Sequence, residues 1–399
     1  MIEITSLDHN GRGIGRLNNK IVFVENALPG EIVNIAILKE KKNYIEASTS
    51  NFIKKSEKRR KSACPYFAEC GGCDLLHLNY EDTLNFKEDK IKNIVNKYLN
   101  STIKINNIVP CDNNFYYRNK TTFQVENCIG FYKNNTYDII ETNKCIISSN
   151  LINNSIKYLK NLDLKHINKI ICRSSKDELM IILETSNIDL DITSLKEIAT
   201  SIYIKSNNKY TLVYGKKYIT EKLGNYKYLV SPDSFFQINI NTCFKLYSKI
   251  KDYIKTNKSV LDLYCGTGSI GIFISENNNV LGIEVNEYAI KDAIENAKLN
   301  NIKNIEFICG DSGKTLNNIN FSPDVIIVDP PRAGLSKETI ENIFKLNSKE
   351  LIYVSCDPMT LARDLNLLNE KYETVELTPY DMFPNTKHVE CLCYLVKKN

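Results

Sequence analysis

From about residue 240 the chain repeats one rhythm, a short apolar strand and then a helix, and no other feature limits the fold as strongly. Residues 260–264 read as a buried strand, and residues 271–275 open a helix. Residues 280–285 form the next strand and 288–300 the next helix. Three more strands follow at 305–309, 325–329 and 351–355, with a helix at 337–346. Late strands near 374–377 and 390–396 complete the set. Parallel strands need a crossover between them, so this alternation builds βαβ units with helices on both faces of a sheet. The expected fold of residues 236–399 is α/β, doubly wound and Rossmann-like.

A glycine loop sits where such a sheet binds ligands. Asp262-Leu-Tyr264-Cys-Gly266-Thr-Gly268-Ser269-Ile-Gly271 follows the first strand and opens the helix. Its glycines let the backbone approach a ligand at the helix N-terminus. Glu284 lies 18 residues after Gly266, where a carboxylate grips ribose hydroxyls. The pattern by itself fits either a nicotinamide dinucleotide or S-adenosylmethionine. Three acids tilt it to the methyl donor. Asp262 precedes the glycines, where it can meet an ammonium group but would repel a pyrophosphate. Asp311 follows the third strand, within reach of an adenine amino group. Asp329-Pro330-Pro331-Arg332 ends the fourth strand, as in methyltransferases that modify nitrogen or carbon of nucleic-acid bases.

Cys356 follows the fifth strand in Ser355-Cys356-Asp357-Pro358. That is the carboxyl end of a strand, beside the expected cofactor. Its place at the opening of a helix is expected to favour the thiolate. A methyltransferase needs a thiol when the target carbon is a poor nucleophile. Carbon 5 of uracil gains enolate character once a thiolate adds to carbon 6, and a separate base must then remove the carbon 5 proton. Glu390, at the start of the last strand, is the base this scheme selects.

The N-terminal part differs. Residues 1–50 carry short apolar runs at 21–24 and 32–37 broken by glycine turns, the pattern of a small β barrel that binds oligonucleotides. The net charge of +5 lies here, since residues 1–62 hold 12 Lys and Arg against 7 Asp and Glu, while the rest hold 40 of each. The run Lys54-Lys55-Ser-Glu-Lys58-Arg59-Arg60-Lys61 is expected to contact RNA phosphates. A helix is expected over 80–98, and mainly β structure from about 103 to 230. The first ten residues have no apolar core for export and no stretch is long enough to span a membrane, so a cytoplasmic protein is expected.

The chain has 13 cysteines, and a disulfide framework is unexpected in that compartment. Cys64-x5-Cys70-x2-Cys73 places three thiols around Gly71-Gly72, a spacing suited to zinc or an iron–sulfur cluster. Cys145 is the favoured fourth ligand, with Cys111 and Cys128 as rivals.

Taken together these motifs resemble the bacterial RNA uracil-5-methyltransferases, in the ribosomal branch that carries a TRAM domain and a [4Fe–4S] cluster. The resemblance spans nearly the whole chain. It implies a TRAM-like, OB-like barrel over 1–60, a central mainly-β domain over 61–235 that carries the cluster, and the catalytic domain over 236–399. It implies Cys64, Cys70, Cys73 and Cys145 as cluster ligands. Gln237, in Ser231-Pro-Asp-Ser-Phe-Phe-Gln237, matches the family's glutamine contact to the methyl donor. Tyr264, Ser269, Glu284, Asp311 and Asp329 line the cofactor site by the same resemblance, Cys356 is the nucleophile and Glu390 the base. Asp357 stands where many members carry Asn. The implied substrate is a uridine of ribosomal RNA, with large-subunit 23S rRNA favoured over tRNA, and the enzyme is expected to act as a monomer. The rival readings are an NAD-dependent oxidoreductase, which Asp329-Pro-Pro and the Cys356–Glu390 pair disfavour, and a non-catalytic RNA-binding protein.

Overall fold

The computed structural model describes residues 1–99, 102–187, 189–317 and 319–398. The N-terminal strands are Ile2–Glu3, Ser6–Leu7, Gly13–Leu17, Lys20–Glu25, Ile32–Glu40 and Tyr44–Lys54. They lie side by side in the order first, fifth, sixth, fourth, third, second. The two edge strands are therefore almost consecutive in the chain, so the sheet must curl until its edges meet. The Thr5 N–H closes it by donating to the Ile14 carbonyl at 2.8 Å. Val22, Val24, Val33, Ile45 and Ala47 fill the interior, each pointing inward by the two-residue alternation of a strand.

The basic run after this barrel is partly structural. Arg59 is paired with the fully buried Glu31 and also reaches the Asn26 carbonyl at 2.6 Å. Arg60 donates to the Leu76 carbonyl and to Asn385, and Lys58 pairs with Asp82. Lys54, Lys55, Lys58 and Lys61 are exposed, so two of the six cations expected to face phosphates turn inward instead.

A second sheet of seven strands runs from Lys120–Val125 to Lys209–Gly215. It is antiparallel except for the pair Leu179–Thr185 and Ser201–Ser206. Helix Asn150–Leu159 covers it, burying Ile152, Ile156 and Leu159. This helix is not apparent from sequence, because its asparagines hide the apolar stripe. A hairpin, Ile219–Leu223 and Tyr226–Val230, leads into helix Ile240–Ile254.

The third sheet is the expected α/β unit. Ile305–Cys309, Asn279–Glu284, Ser259–Leu263, Val325–Val328 and Glu350–Ser355 are parallel neighbours in that order. Glu390–Lys397 then pairs antiparallel with Glu350–Ser355, and Tyr372–Tyr380 antiparallel with Glu390–Lys397. The edge is a surprise. Lys104–Ile105 pairs parallel with Tyr372–Tyr380, and helix Tyr80–Tyr98 packs on Pro358–Leu368. Ile91, Val95 and Ile108 share the core of Leu261, Leu263 and Ile326. Residues 80–99 and 102–109, expected in the central domain, thus pack on the catalytic sheet. A two-residue strand has no periodicity to betray it, which is why sequence misplaces this segment. No helix among the described residues is long and apolar enough to cross a membrane.

Candidate active site

The parallel strands end on one edge, and the loops there carry most of the expected site residues. After Ser259–Leu263 the chain turns sharply. Tyr264 has φ +62°, and Gly266 and Gly268 have φ +54° and +73°. A tyrosine in the left-handed region is strained, a state found where the surrounding fold enforces it, commonly at functional sites. A side chain at Gly266 would meet nothing within 4 Å, so the loop leaves an open cradle beside its backbone. Asp262 is fully buried behind the loop and braces it, its Oδ2 accepting the Gly271 N–H at 3.0 Å. Among the described residues its Oδ1 has no hydrogen-bond partner. Burial, then the nearby Asp329, pushes this carboxyl up to about 8. The role expected of Asp262 is therefore shared, with one oxygen taken by the loop and one left for a donor.

Glu284 ends its strand and accepts the N–H groups of Gly266 at 3.2 Å and Asn286 at 2.9 Å. Asp311 caps the short helix Ser312–Thr315 through the Lys314 N–H at 3.0 Å. The Ser269 hydroxyl lies 2.8 Å from the Tyr247 hydroxyl, inside the fold. The Tyr264 hydroxyl lies 3.4 Å from Thr339 Oγ1. Gln237 is buried in the loop before helix Ile240–Ile254, and Asn119 of the central sheet donates to its carbonyl at 3.1 Å. The turn leading into Gln237 is held by Arg173, a buried guanidinium that donates to the carbonyls of Ser231 and Ser234 at 2.5 Å each.

The register of the last strands sets the reacting groups. Ser355 lies opposite Cys391, so Cys356 and Glu390 face each other across the ends of adjacent strands. Asp329 follows Val328, the partner of Tyr353 on the other side. Glu390 is buried, and burial together with the Asp329 charge holds its carboxyl well above the usual range. Burial, then Glu390 and Asp329, pushes the Cys356 thiol up to about 11. This reverses the expected thiolate. Burial is the main reason, and the helix end offers little against it: Asp357 is the N-cap, and its carboxylate takes the N–H groups of Met359 and Thr360 at 3.0 Å each. The helix end is spent on Asp357, and two carboxyls outweigh what remains of the dipole. The counterweight is Arg332, whose hydrogen bond and charge pull the thiol down. Sequence patterning does not single out Arg332; its only mark is that it closes Asp329-Pro-Pro-Arg332.

A second cluster lies away from this cleft. Cys64, Cys70, Cys73 and Cys145 line one cavity of about 220 Å³ with Phe67 and Phe131 among its walls. Cys111 and Cys128 do not line it; Cys111 instead accepts from Asn239 at 3.2 Å. Each of Cys64, Cys70 and Cys73 is pushed up first by burial and then by the neighbouring thiols, Cys145 foremost. Among the described residues no three His, Cys, Asp or Glu side chains converge on a single ion. One zinc would draw its thiolates to about 2.3 Å from a common point, and these thiols are spread around a cavity instead.

Known proteins share this architecture. Residues 79–398 match the family described as tRNA (Uracil-5-)-methyltransferase, and residues 1–49 match the TRAM domain. An uncharacterized RNA methyltransferase of Clostridium tetani is 34% identical, over 98% of this chain and 94% of its own length. Another, of Aquifex aeolicus, is 34% identical over 100% of this chain and 98% of its own. The crystal structure of Pyrococcus abyssi tRNA (uracil-54, C5)-methyltransferase, in complex with S-adenosyl-L-homocysteine, matches with a TM-score of 0.83 at 28% identity, over 99% of each chain. The chain belongs to the tRNA (uracil-5-)-methyltransferase family and carries a TRAM domain at its N-terminal end.

Proposed function

We propose that this chain methylates carbon 5 of a uridine in RNA, with Cys356 as nucleophile and Glu390 as base. The observation that carries the reading is the meeting of Cys356, Glu390 and Asp329 at the ends of three neighbouring strands. Cys356 Sγ adds to carbon 6 of the uracil and makes carbon 5 a nucleophile. S-adenosylmethionine, when bound, supplies an electrophilic methyl group and leaves as S-adenosylhomocysteine. Glu390 then takes the carbon 5 proton, the carbon 6–sulfur bond breaks, and the thiolate is recovered with 5-methyluridine as product. Arg332 stabilises the thiolate at both ends of this cycle. Beside it, the open cradle at Gly266, the unpaired Asp262 Oδ1 and the strand-end acids Glu284 and Asp311 suit an amino-acid-bearing nucleoside. Tyr264, Ser269 and Gln237 complete that site.

The substrate in this reading is ribosomal RNA, held by the barrel and the central sheet while the target base leaves its stack. A specific observation favours a second substrate, tRNA: the Pyrococcus abyssi enzyme, a tRNA uracil methyltransferase by its description, matches the chain end to end, barrel included. The barrel therefore does not discriminate. Incubating the purified protein with labelled methyl donor and with ribosomal and transfer RNA, each free of 5-methyluridine, separates the two. Label in large-subunit rRNA alone is the expected result; label in tRNA alone assigns the second reading, and label in neither overturns both.

We further propose that Cys64, Cys70, Cys73 and Cys145 hold a [4Fe–4S] cluster. The four thiols line one partly open cavity of about 220 Å³, which offers more room than a single ion needs. Four cysteines are the usual ligand set of such a cluster, which spaces its thiolates more widely than one ion does. An anaerobic preparation is expected to be brown with about four irons per chain; a colourless protein with stoichiometric zinc would refute the assignment.

A further inference from the structure

The segment that delivers Glu390 is held by partners from several other parts of the chain. Between the strands Tyr372–Tyr380 and Glu390–Lys397 the chain makes a loop over residues 381–389. Its carbonyls are taken in turn: Met382 by Asn239 at 3.2 Å, Phe383 by Lys87 at 2.9 Å, Pro384 by the Tyr117 hydroxyl at 3.0 Å. The Asn385 carbonyl accepts from the N–H groups of Asp74 at 3.2 Å and Leu75 at 3.0 Å. These two residues directly follow Cys73.

Asn385 is the joint of this arrangement. It is fully buried at φ +65°, a left-handed position that asparagine tolerates better than most residues. Its Oδ1 accepts from Arg60 at 2.8 Å, and its Nδ2 donates to the Asn114 carbonyl at 2.6 Å. Two residues on, the Lys387 N–H donates to Asp74 Oδ2 at 3.0 Å, and the Lys387 ammonium lies 3.3 Å from Asp74 Oδ1. The contacts of Arg60, Asp74 and Leu75 join the cysteine-bearing segment to the loop that leads into Glu390.

We infer that Asn385 and Asp74 are positioning residues for the general base, so that the cysteine-bearing segment governs proton removal from carbon 5. The inference rests on the reading of Glu390 as that base. Addition of Cys356 and methyl transfer do not need Glu390; breakdown of the methylated adduct does. Loosening the loop therefore slows the last step and leaves the earlier ones intact. A displacement of about 1 Å at a catalytic group costs up to roughly a hundredfold in rate.

The test uses the full-length protein with its iron content measured. Asp74→Ala removes both contacts to Lys387 without touching a cysteine, and Asp74→Asn keeps an acceptor for the Lys387 N–H. Asn385→Gly removes the side chain while tolerating the left-handed backbone. Glu390→Gln is the control for trapping. The expected result is turnover reduced roughly tenfold or more in Asp74→Ala and Asn385→Gly, with a denaturant-stable protein–RNA adduct accumulating. Iron content should be unchanged, and Asp74→Asn should restore turnover. If Glu390→Gln traps adduct while Asp74→Ala and Asn385→Gly lose turnover without trapping any, or keep full turnover, the positioning role is overturned. If Glu390→Gln itself traps nothing, the failure lies with the proposed chemistry.

Discussion

At the scale of single residues, the thiol of Cys356 is a balance of opposing charges. Burial, Glu390 and Asp329 all raise it, and Arg332 lowers it. With the thiol at about 11, few molecules carry the thiolate at neutral pH, so the cation beside it has leverage. Replacing Arg332 with Met removes that cation and raises the thiol further. The rising limb of the pH–rate profile, which reports the thiolate, should then move to higher pH. Adduct formation at pH 7.5 should fall by roughly ten- to a hundredfold. A profile unmoved by Arg332→Met, measured from pH 6 to 10, would contradict this role. The same residue shows a limit of sequence reading. A helix start beside a cysteine is visible in Asp357-Pro358, whereas the two carboxyls that outweigh it arrive from other strands. Local pattern places Cys356 at the strand end and carries no sign of the carboxyls that raise its thiol.

Among elements, helix Tyr80–Tyr98 holds the start of the loop that precedes Glu390. Lys87 and Asp381 form an ion pair with both side chains fully buried, and the Tyr80 hydroxyl donates to the same carboxylate at 2.7 Å. This pins the start of the loop that ends at Glu390. Removing one partner strands a buried charge, which costs about 3–5 kcal/mol. Lys87→Met should lose that much in denaturant-induced unfolding, and the double variant Lys87→Met with Asp381→Leu should recover a large part of it. Equal losses in the single and double variants would show that the pair is not coupled. The helix itself is legible in the sequence to its end residues, because the acids Glu81 and Asp82 open it and an apolar stripe runs along it. Where it docks is not legible, since its partner helix Pro358–Leu368 lies over 250 residues away in the chain.

Across the whole molecule, the three sheets are stitched together around the proposed site. Arg59 ties the linker to the barrel through Glu31, and Arg60 ties it to the catalytic loop through Asn385. Arg173 of the central sheet holds the turn before Gln237, and Asn119 holds the Gln237 carbonyl. The strand and helix order of the α/β unit was readable from its alternation, and the glycine loop, Asp329, Cys356 and Glu390 from their places at strand ends. Arg173, Asn385 and Lys87 were not, because each is a single polar residue whose meaning lies in a partner far along the chain. A basic run is readable as charge, yet two of its six cations, Arg59 and Arg60, turn inward to satisfy the buried Glu31 and backbone carbonyls. The central claim is a covalent step, and it is tested most directly by mass spectrometry of the Glu390→Gln protein after incubation with uridine-containing RNA and S-adenosylmethionine. The expected result is a peptide containing Cys356 that carries a methylated uridine, and no such species when Cys356→Ala is added. A Cys356→Ala protein that still forms 5-methyluridine would contradict it.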